Sequence, residues 1–312
     1  MSHSITAKDV PALRADMVED AREFKKNFPE GKQWATSLEA AELFWVARDM
    51  LQIAEVAAES LPAFTIEAED IPAPHGVLVW EGTLHTIAGF SWQVVGGSVH
   101  LNALVPRQLA AERLAGFVLK QRESERIRID HLIPVRRAST EAAKQSLIQE
   151  RMESGSRAEL WSDVELPIPL GREIDPESIR CSTAMADDLD RKIGVLLPTI
   201  AMSLWLLMDQ TLASREMIRP SRHGMKRIAR LDAALLTETR YVTLRRKAVN
   251  PSYGDGEGTQ RSHRWWTRGH WRKVPYGPGR SRRRPTWIAP YISGPDGAPI
   301  LDPDKLVSVL RK

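Results

Sequence analysis

The chain has 312 residues, 44 Lys+Arg against 40 Asp+Glu, 42% hydrophobic residues and a single cysteine, Cys181. That length and apolar content support a well-buried core and about two domains. A lone cysteine excludes an intramolecular disulfide and a thiolate-built zinc site, and it suits a reducing cytoplasm. The near-balance of charge hides a division, because residues 215–312 carry 22 Lys+Arg against 8 Asp+Glu while residues 1–214 carry 22 against 32.

Taken in chain order, residues 1–11 lack an apolar core behind a basic stretch, so no signal peptide is expected. Residues 9–27 and 37–59 are predicted helices, parted by Phe28-Pro29-Glu30-Gly31-Lys32. In the second, Leu38, Ala41, Leu43, Trp45, Val46, Met50, Ile53 and Ala57 form an apolar stripe, with Glu39, Glu42, Arg48 and Glu55 as polar positions. After Leu61-Pro62 the pattern becomes extended. Val77-Leu78-Val79-Trp80 is a short buried strand, and strands at 91–95 and 98–105 flank Gly96-Gly97, a hairpin turn signal because both positions tolerate positive φ. Strands are expected at 117–121 and 126–134, then a helix at 140–153 capped by Thr140, then an extended stretch at 160–170.

A long helix is predicted over 184–215. Its apolar positions recur at Leu189, Ile193, Leu196, Ile200, Leu204 and Met208, and Asp209 closes the apolar run before the ~20 residues that a membrane span requires, so the reading is a buried helix. A basic helix follows at 221–236, then strands at 240–246, 262–273 and 286–292 among Gly/Pro-rich loops, with no internal repeat and no long low-complexity segment. Helices interleaved with hairpins point to an α+β fold. The charge division places an acidic α+β domain at 1–180 and, at 181–312, the central helix with a small basic, Trp-rich, β-rich domain.

Two patterns in the basic part suit a nucleic-acid partner. On the helix at 221–236 and its approach, Arg219, Arg222, Lys226 and Arg230 recur at spacings of three and four along one face, while Met225, Ile228, Ala229 and Leu235 fall largely on another. Such a helix packs by its apolar side and lays cations along phosphates; a solvated face has the same sequence. The second pattern is Ser262-His263-Arg264-Trp265-Trp266-Thr267-Arg268-Gly269-His270-Trp271-Arg272-Lys273. As one strand it puts Arg264, Trp266, Arg268, His270 and Arg272 on one face, where guanidiniums bind phosphate bidentately and an indole stacks a base. A bulge at Gly269 shifts that register by one. At least two of Trp265, Trp266, Trp271 and Trp287 are expected to be structural, since large aromatics are mostly buried. The loop Tyr276-Gly277-Pro278-Gly279-Arg280-Ser281-Arg282-Arg283-Arg284-Pro285 adds Arg280, Arg282, Arg283 and Arg284 beside glycines that permit close backbone approach.

The stretch Arg264-Trp265-Trp266-Thr267-Arg268-Gly269-His270-Trp271-Arg272, with Tyr276-Gly277-Pro278-Gly279-Arg280, Trp287-Ile288-Ala289-Pro290-Tyr291 and Gly294-Pro295, resembles a family of uncharacterised proteins from actinobacteria and their phages. The likeness extends to Tyr241-Val242-Thr243-Leu244-Arg245-Arg246, to the helix at 204–212 and to Pro74-His75-Gly76-Val77-Leu78-Val79-Trp80, and so covers most of the chain. It implies an actinobacterial or actinophage source and carries no activity with it.

Other chemistry has little sequence support. No phosphate-binding glycine loop, Gly-x-Gly-x-x-Gly, His-Glu-x-x-His or Gly-x-Ser-x-Gly is present, so no cofactor is expected. His75, His85 and His100 lie on different elements without metal-ligand spacing and read as ordinary polar residues, and no metal is expected. The acids Glu67, Glu69, Asp70 and Asp187, Asp188, Asp190 read as solvated or helix-dipole groups. One catalytic alternative is a metal-independent ribonuclease, with His270 as general acid or base, Arg268 and Arg272 stabilising the charged transition state, and His263 or Tyr276 assisting. A further alternative is an interaction module whose acidic N-terminal region docks a protein. The leading reading is a cytoplasmic DNA- or RNA-binding protein that acts through its basic C-terminal part.

Overall fold

The computed structural model describes residues 5–24, 30–113, 115–116, 140–175, 188–244, 263–293 and 299. A mixed seven-stranded sheet forms its centre. β1 (Glu42–Val46), β3 (His75–Leu84), β4 (Ile87–Val95), β5 (Ser98–Pro106), β6 (Leu160–Pro169), β8 (Ala213–Ile218) and β9 (Thr239–Leu244) stand in the order β6-β5-β4-β3-β1-β9-β8. β1 runs parallel to both neighbours, and the other pairs are antiparallel. β2 (Phe64–Thr65) and β7 (Glu173–Ile174) make a short separate ribbon. The fold is α+β, and the central sheet takes strands from both the acidic and the basic parts of the sequence.

Helices cover both faces of this sheet. α1 (Val10–Phe24), α2 (Glu30–Glu39) and α6 (Arg222–Leu231) pack against Leu43, Trp45, Val77 and Val79. α3 (Arg48–Glu59) and α5 (Asp188–Met208) pack against Phe44, Val46, Leu78 and Trp80. Alternate residues of one strand therefore serve opposite layers, as the period of two requires. On the α3/α5 side, Trp92 meets Phe44 at 5.6 Å and Trp205 edge-on at 5.4 Å, and its indole N–H donates to the Ala73 carbonyl at 2.8 Å. On the other side Arg14, 2% exposed, donates to the carbonyls of Leu38 and Glu39 at the end of α2 and to that of Leu235. Burial lowers its pKa from the ordinary guanidinium range to about 10.

Four predicted elements are corrected. The helix expected over 37–59 contains β1: Glu42–Val46 is a strand buried on both faces, so its apolar run hides the alternation and mimics a helical stripe. The helix expected over 184–215 ends at Met208, where the Arg215 guanidinium donates to the Met208 carbonyl and the chain turns into β8. The single strand expected over 262–273 is two, β10 (Trp265–Thr267) and β11 (His270–Tyr276), and the one over 286–292 is likewise β12 (Arg282–Ile288) and β13 (Tyr291–Ser293). The strands expected at 117–121 and 126–134 lie outside the described residues.

Local signals agree elsewhere. Gly96 and Gly97 adopt φ of 57° and 78° between β4 and β5, and the Thr140 hydroxyl accepts from the Ala143 amide at the start of α4 (Glu141–Gly155). Among the described residues, no helix is long and apolar enough to cross a membrane. Gly89 of β4 crosses β3 so closely that a Cβ there lies 2.2 Å from the Leu78 carbonyl oxygen, a backbone atom that cannot step aside. Gly89→Ala is therefore expected to cost about 2–3 kcal/mol, read as a lowered urea midpoint; an unchanged midpoint would contradict the packing described.

Candidate nucleic-acid interface

The basic region supplies two pairs of strands. β10 pairs with β13, and β11 with β12, antiparallel. In the second hairpin Trp271 stands opposite Trp287, with ring centroids 5.3 Å apart and planes at 65°. Trp287 is 3% exposed within the α3/α5 core, and the Trp271 indole N–H donates to the Ala57 carbonyl at 2.7 Å. Two of the four C-terminal tryptophans are thus structural. They fix one face of the hairpin against the body.

Alternation turns His270 and Arg272, on either side of Trp271, to the opposite face, and both are exposed. Arg268, just before β11, is exposed, and the His270 Nδ1 lies 3.2 Å from its carbonyl oxygen. Lys273, Arg280 and Arg283 are exposed as well. At the tip, Gly277 and Gly279 take φ of 76° and 61°, and Arg280 follows them into positive φ at 56°, exposed at the turn. Among the described residues, Arg268, Arg272, Lys273, Arg280 and Arg283 have no acidic partner.

The other two loop arginines are committed to the body. Arg284 bridges Asp70 at 3.0 Å and Asp209 at 2.8 Å, and Arg282 reaches Glu69 at 3.4 Å. Burial holds the Asp70 carboxyl above its ordinary range, while the Glu67 backbone amide and Arg284 pull it down. Glu69 and Asp70 thus act as a latch for the hairpin, a role that sequence spacing does not reveal. Arg264 is half-buried at the head of β10, with its amide donating to the Pro299 carbonyl at 2.8 Å. His263 lies edge-on to Trp265 at 6.4 Å, at the far end of that ribbon from β11. The side chain of Trp266 lies outside the described residues.

The helical surface forms in part as the spacing predicts. Its cations are exposed, but so are Met225 and Ala229, expected on the apolar face. The helix expected over 221–236 stops at Leu231, with Leu235 in the turn that follows. Ser221 caps α6 by accepting from the Gly224 amide at 3.0 Å. Gly224 and Ile228 face α1, and Arg222, Lys226 and Arg230 line the outer side, all exposed. Arg219, before the helix, pairs with Glu238 at 2.9 Å. Ile228 and Trp287 belong to cores on opposite sides of the sheet. The two cationic surfaces are therefore not brought together, and the hairpin is the larger.

The curated proteins and the solved structures contain no match to the chain. Residues 61–295 match the AcrVA2-like family, described as the anti-CRISPR type V subtype A2 family. That span starts beyond α3 and ends just past β13, so it includes the whole hairpin and most of the sheet. The chain belongs to this phage-related AcrVA2-like, anti-CRISPR type V subtype A2, family.

Proposed function

We propose that the chain counters a type V CRISPR system by binding that system's nucleic acid through the exposed cations of the β11–β12 hairpin. It does so as an actinophage product in the cytoplasm of an actinobacterial host. The family supports the anti-CRISPR role, and the terminal motif supports the source. The observation that carries the binding reading is the set of exposed cations without acidic partners among the described residues, Arg268, Arg272, Lys273, Arg280 and Arg283, spread along both faces and the tip of a hairpin that Trp271 and Trp287 anchor to the body. A rigid cationic surface loses little order on meeting a polyanion, and each phosphate it neutralises releases counterions.

A gel-shift panel of single- and double-stranded RNA and DNA, repeated over a salt series, tests this. If three phosphates are engaged on a single strand, the slope of log K against log salt is about −2. Arg268→Ala, Arg272→Ala and Arg283→Ala should each weaken binding and reduce the slope by about one phosphate contact's share. Absence of binding to every probe at low ionic strength would overturn the reading and leave a CRISPR effector protein as the partner to test. Cleavage is the second reading, because exposed His270 stands between Arg268 and Arg272. The same gels report it: degradation of RNA by the natural sequence that H270A abolishes would establish it.

A further inference from the structure

On the far side of the sheet from the hairpin, beneath α2, the strands assemble a polar patch from residues distant in sequence. His75 of β3 stands opposite Gln93 of β4, and Gln93 opposite His100 of β5. In the next rank Ser91 stands opposite Asn102, and Asn102 opposite Glu165 of β6. Opposed residues of antiparallel strands share a face with Cβ atoms ~5 Å apart. Phe90 and Trp92 point to the α3/α5 core, so Ser91 and Gln93 point to the α2 side. His75 and His100, unrelated in sequence spacing, thus flank one carboxamide.

Some of these groups are satisfied. The His75 Nδ1 lies 3.1 Å from the Ser37 hydroxyl of α2, the His100 Nδ1 lies 2.7 Å from a Glu165 carboxylate oxygen, and Ser162 donates to Asn102 at 3.2 Å. Others are not. Gln93 is 8% exposed and its Oε1 has no partner; Ser91 is 4% exposed and its hydroxyl has none. The buried indole N–H of Trp34 is also unpartnered. Trp34 precedes Ser37 by three positions, which sets it on the same side of α2, over the patch.

Unpaired buried polar groups are costly, and a cluster of them describes what would relieve it. Here the need is a donor to the Gln93 carbonyl, an acceptor for the Trp34 N–H, and either for Ser91. No Lys or Arg belongs to these ranks, so the patch selects a neutral polar edge and not a phosphate. A planar ring carrying donors and acceptors along one edge fits. Asn and Gln carboxamides pair with such edges, and an indole covers such a face. We infer that this patch is a pocket for a nucleobase, held at its edge by Gln93 and Ser91, roofed by Trp34 and flanked by His75 and His100. It extends the proposed function to a second site without depending on the hairpin.

Thermal melting of the full chain with each of the four common ribonucleosides, and separately with single-stranded homopolymer RNA of each base, tests the pocket. At least one base should raise the midpoint. A shift by the nucleoside assigns a free ligand, and a shift by the homopolymer alone assigns a base within a strand. Gln93→Leu removes no hydrogen bond made by the carbonyl in the free protein, so it should keep the unliganded midpoint and weaken binding about tenfold or more. Trp34→Phe keeps a ring, loses the N–H and should bind more weakly. If Gln93→Leu does not fold, Ser91→Ala carries the same comparison. No shift with any base, or variants that bind like the natural sequence, would overturn the inference. Alanine at Arg268, Arg272 and Arg283 together should leave a nucleoside shift intact, so the pocket and the hairpin reading fail separately.

Discussion

Replacing Trp287 with alanine is expected to cost about 3–5 kcal/mol of folding stability and to loosen the hairpin from the body. The indole lies 3% exposed in the α3/α5 core and meets Trp271 edge-on. The chain between β10 and β11 has shaped itself around it, because a Cβ on Gly269 would come within 2.4 Å of the Trp287 ring. The remaining attachments are weaker. Arg282–Glu69 is solvent-exposed on both sides, and such a pair contributes about 0–1 kcal/mol. Arg284 has a buried partner in Asp70, yet part of that pair's attraction offsets the desolvation of the carboxylate. Burial of the indole therefore outweighs the ionic latch. Urea unfolding should show the loss, and hydrogen exchange should show β11 and β12 amides opening more readily than those of β4 and β5. A cost below about 1 kcal/mol would mean that the latch, not the tryptophan, holds the hairpin. Nucleic-acid binding should fall in the same variant, since its cations then need ordering on contact.

The features readable in the sequence are those with local causes. Gly96-Gly97 makes a hairpin because two consecutive positions take positive φ, and Thr140 starts a helix because its hydroxyl reaches an amide three residues on. The α6 stripe follows from a repeat of four. β1 was hidden for a physical reason: Leu43 and Trp45 feed one core and Phe44 and Val46 the other, so no polar position after Glu42 marks the alternation. The division of the four arginines at 280–284 was equally invisible, because the acids that claim Arg282 and Arg284 come from distant segments. The flanking of Gln93 by His75 and His100 exists only through strand register. Spacing along the chain separates them, and pairing across the sheet unites them.

The Arg227→Ala variant is expected to lose about 3–5 kcal/mol near neutral pH, because it strands a charge. Arg227 of α6 meets Asp16 of α1 at 2.7 Å, and the Asp16 side chain is 2% exposed. Burial dominates its titration: it raises the carboxyl pKa from 3.8 to about 6, even though Arg227 acts to lower it. The folded chain therefore holds this proton more tightly than the unfolded chain does. Folding takes up a proton between about pH 4 and pH 6, and this group's contribution to stability falls as pH rises through that window. Without Arg227 the folded pKa moves higher still, so the deficit of the variant should be large at about pH 8 and shrink at about pH 5, where Asp16 is protonated in the folded chain. Asp16→Asn in the Arg227→Ala background should recover much of the loss at the higher pH, because an amide needs no counterion. Urea unfolding of the single and double variants at both pH values measures this, and a deficit that did not change with pH would show that Arg227 matters by packing alone. The pair also bears on function, because α6 rests on α1 through Gly224, Ile228 and this ion pair, and it carries Arg222, Lys226 and Arg230 on its outer side. If those cations add to nucleic-acid binding, Arg227→Ala should lower affinity without touching the hairpin, and more so as pH rises.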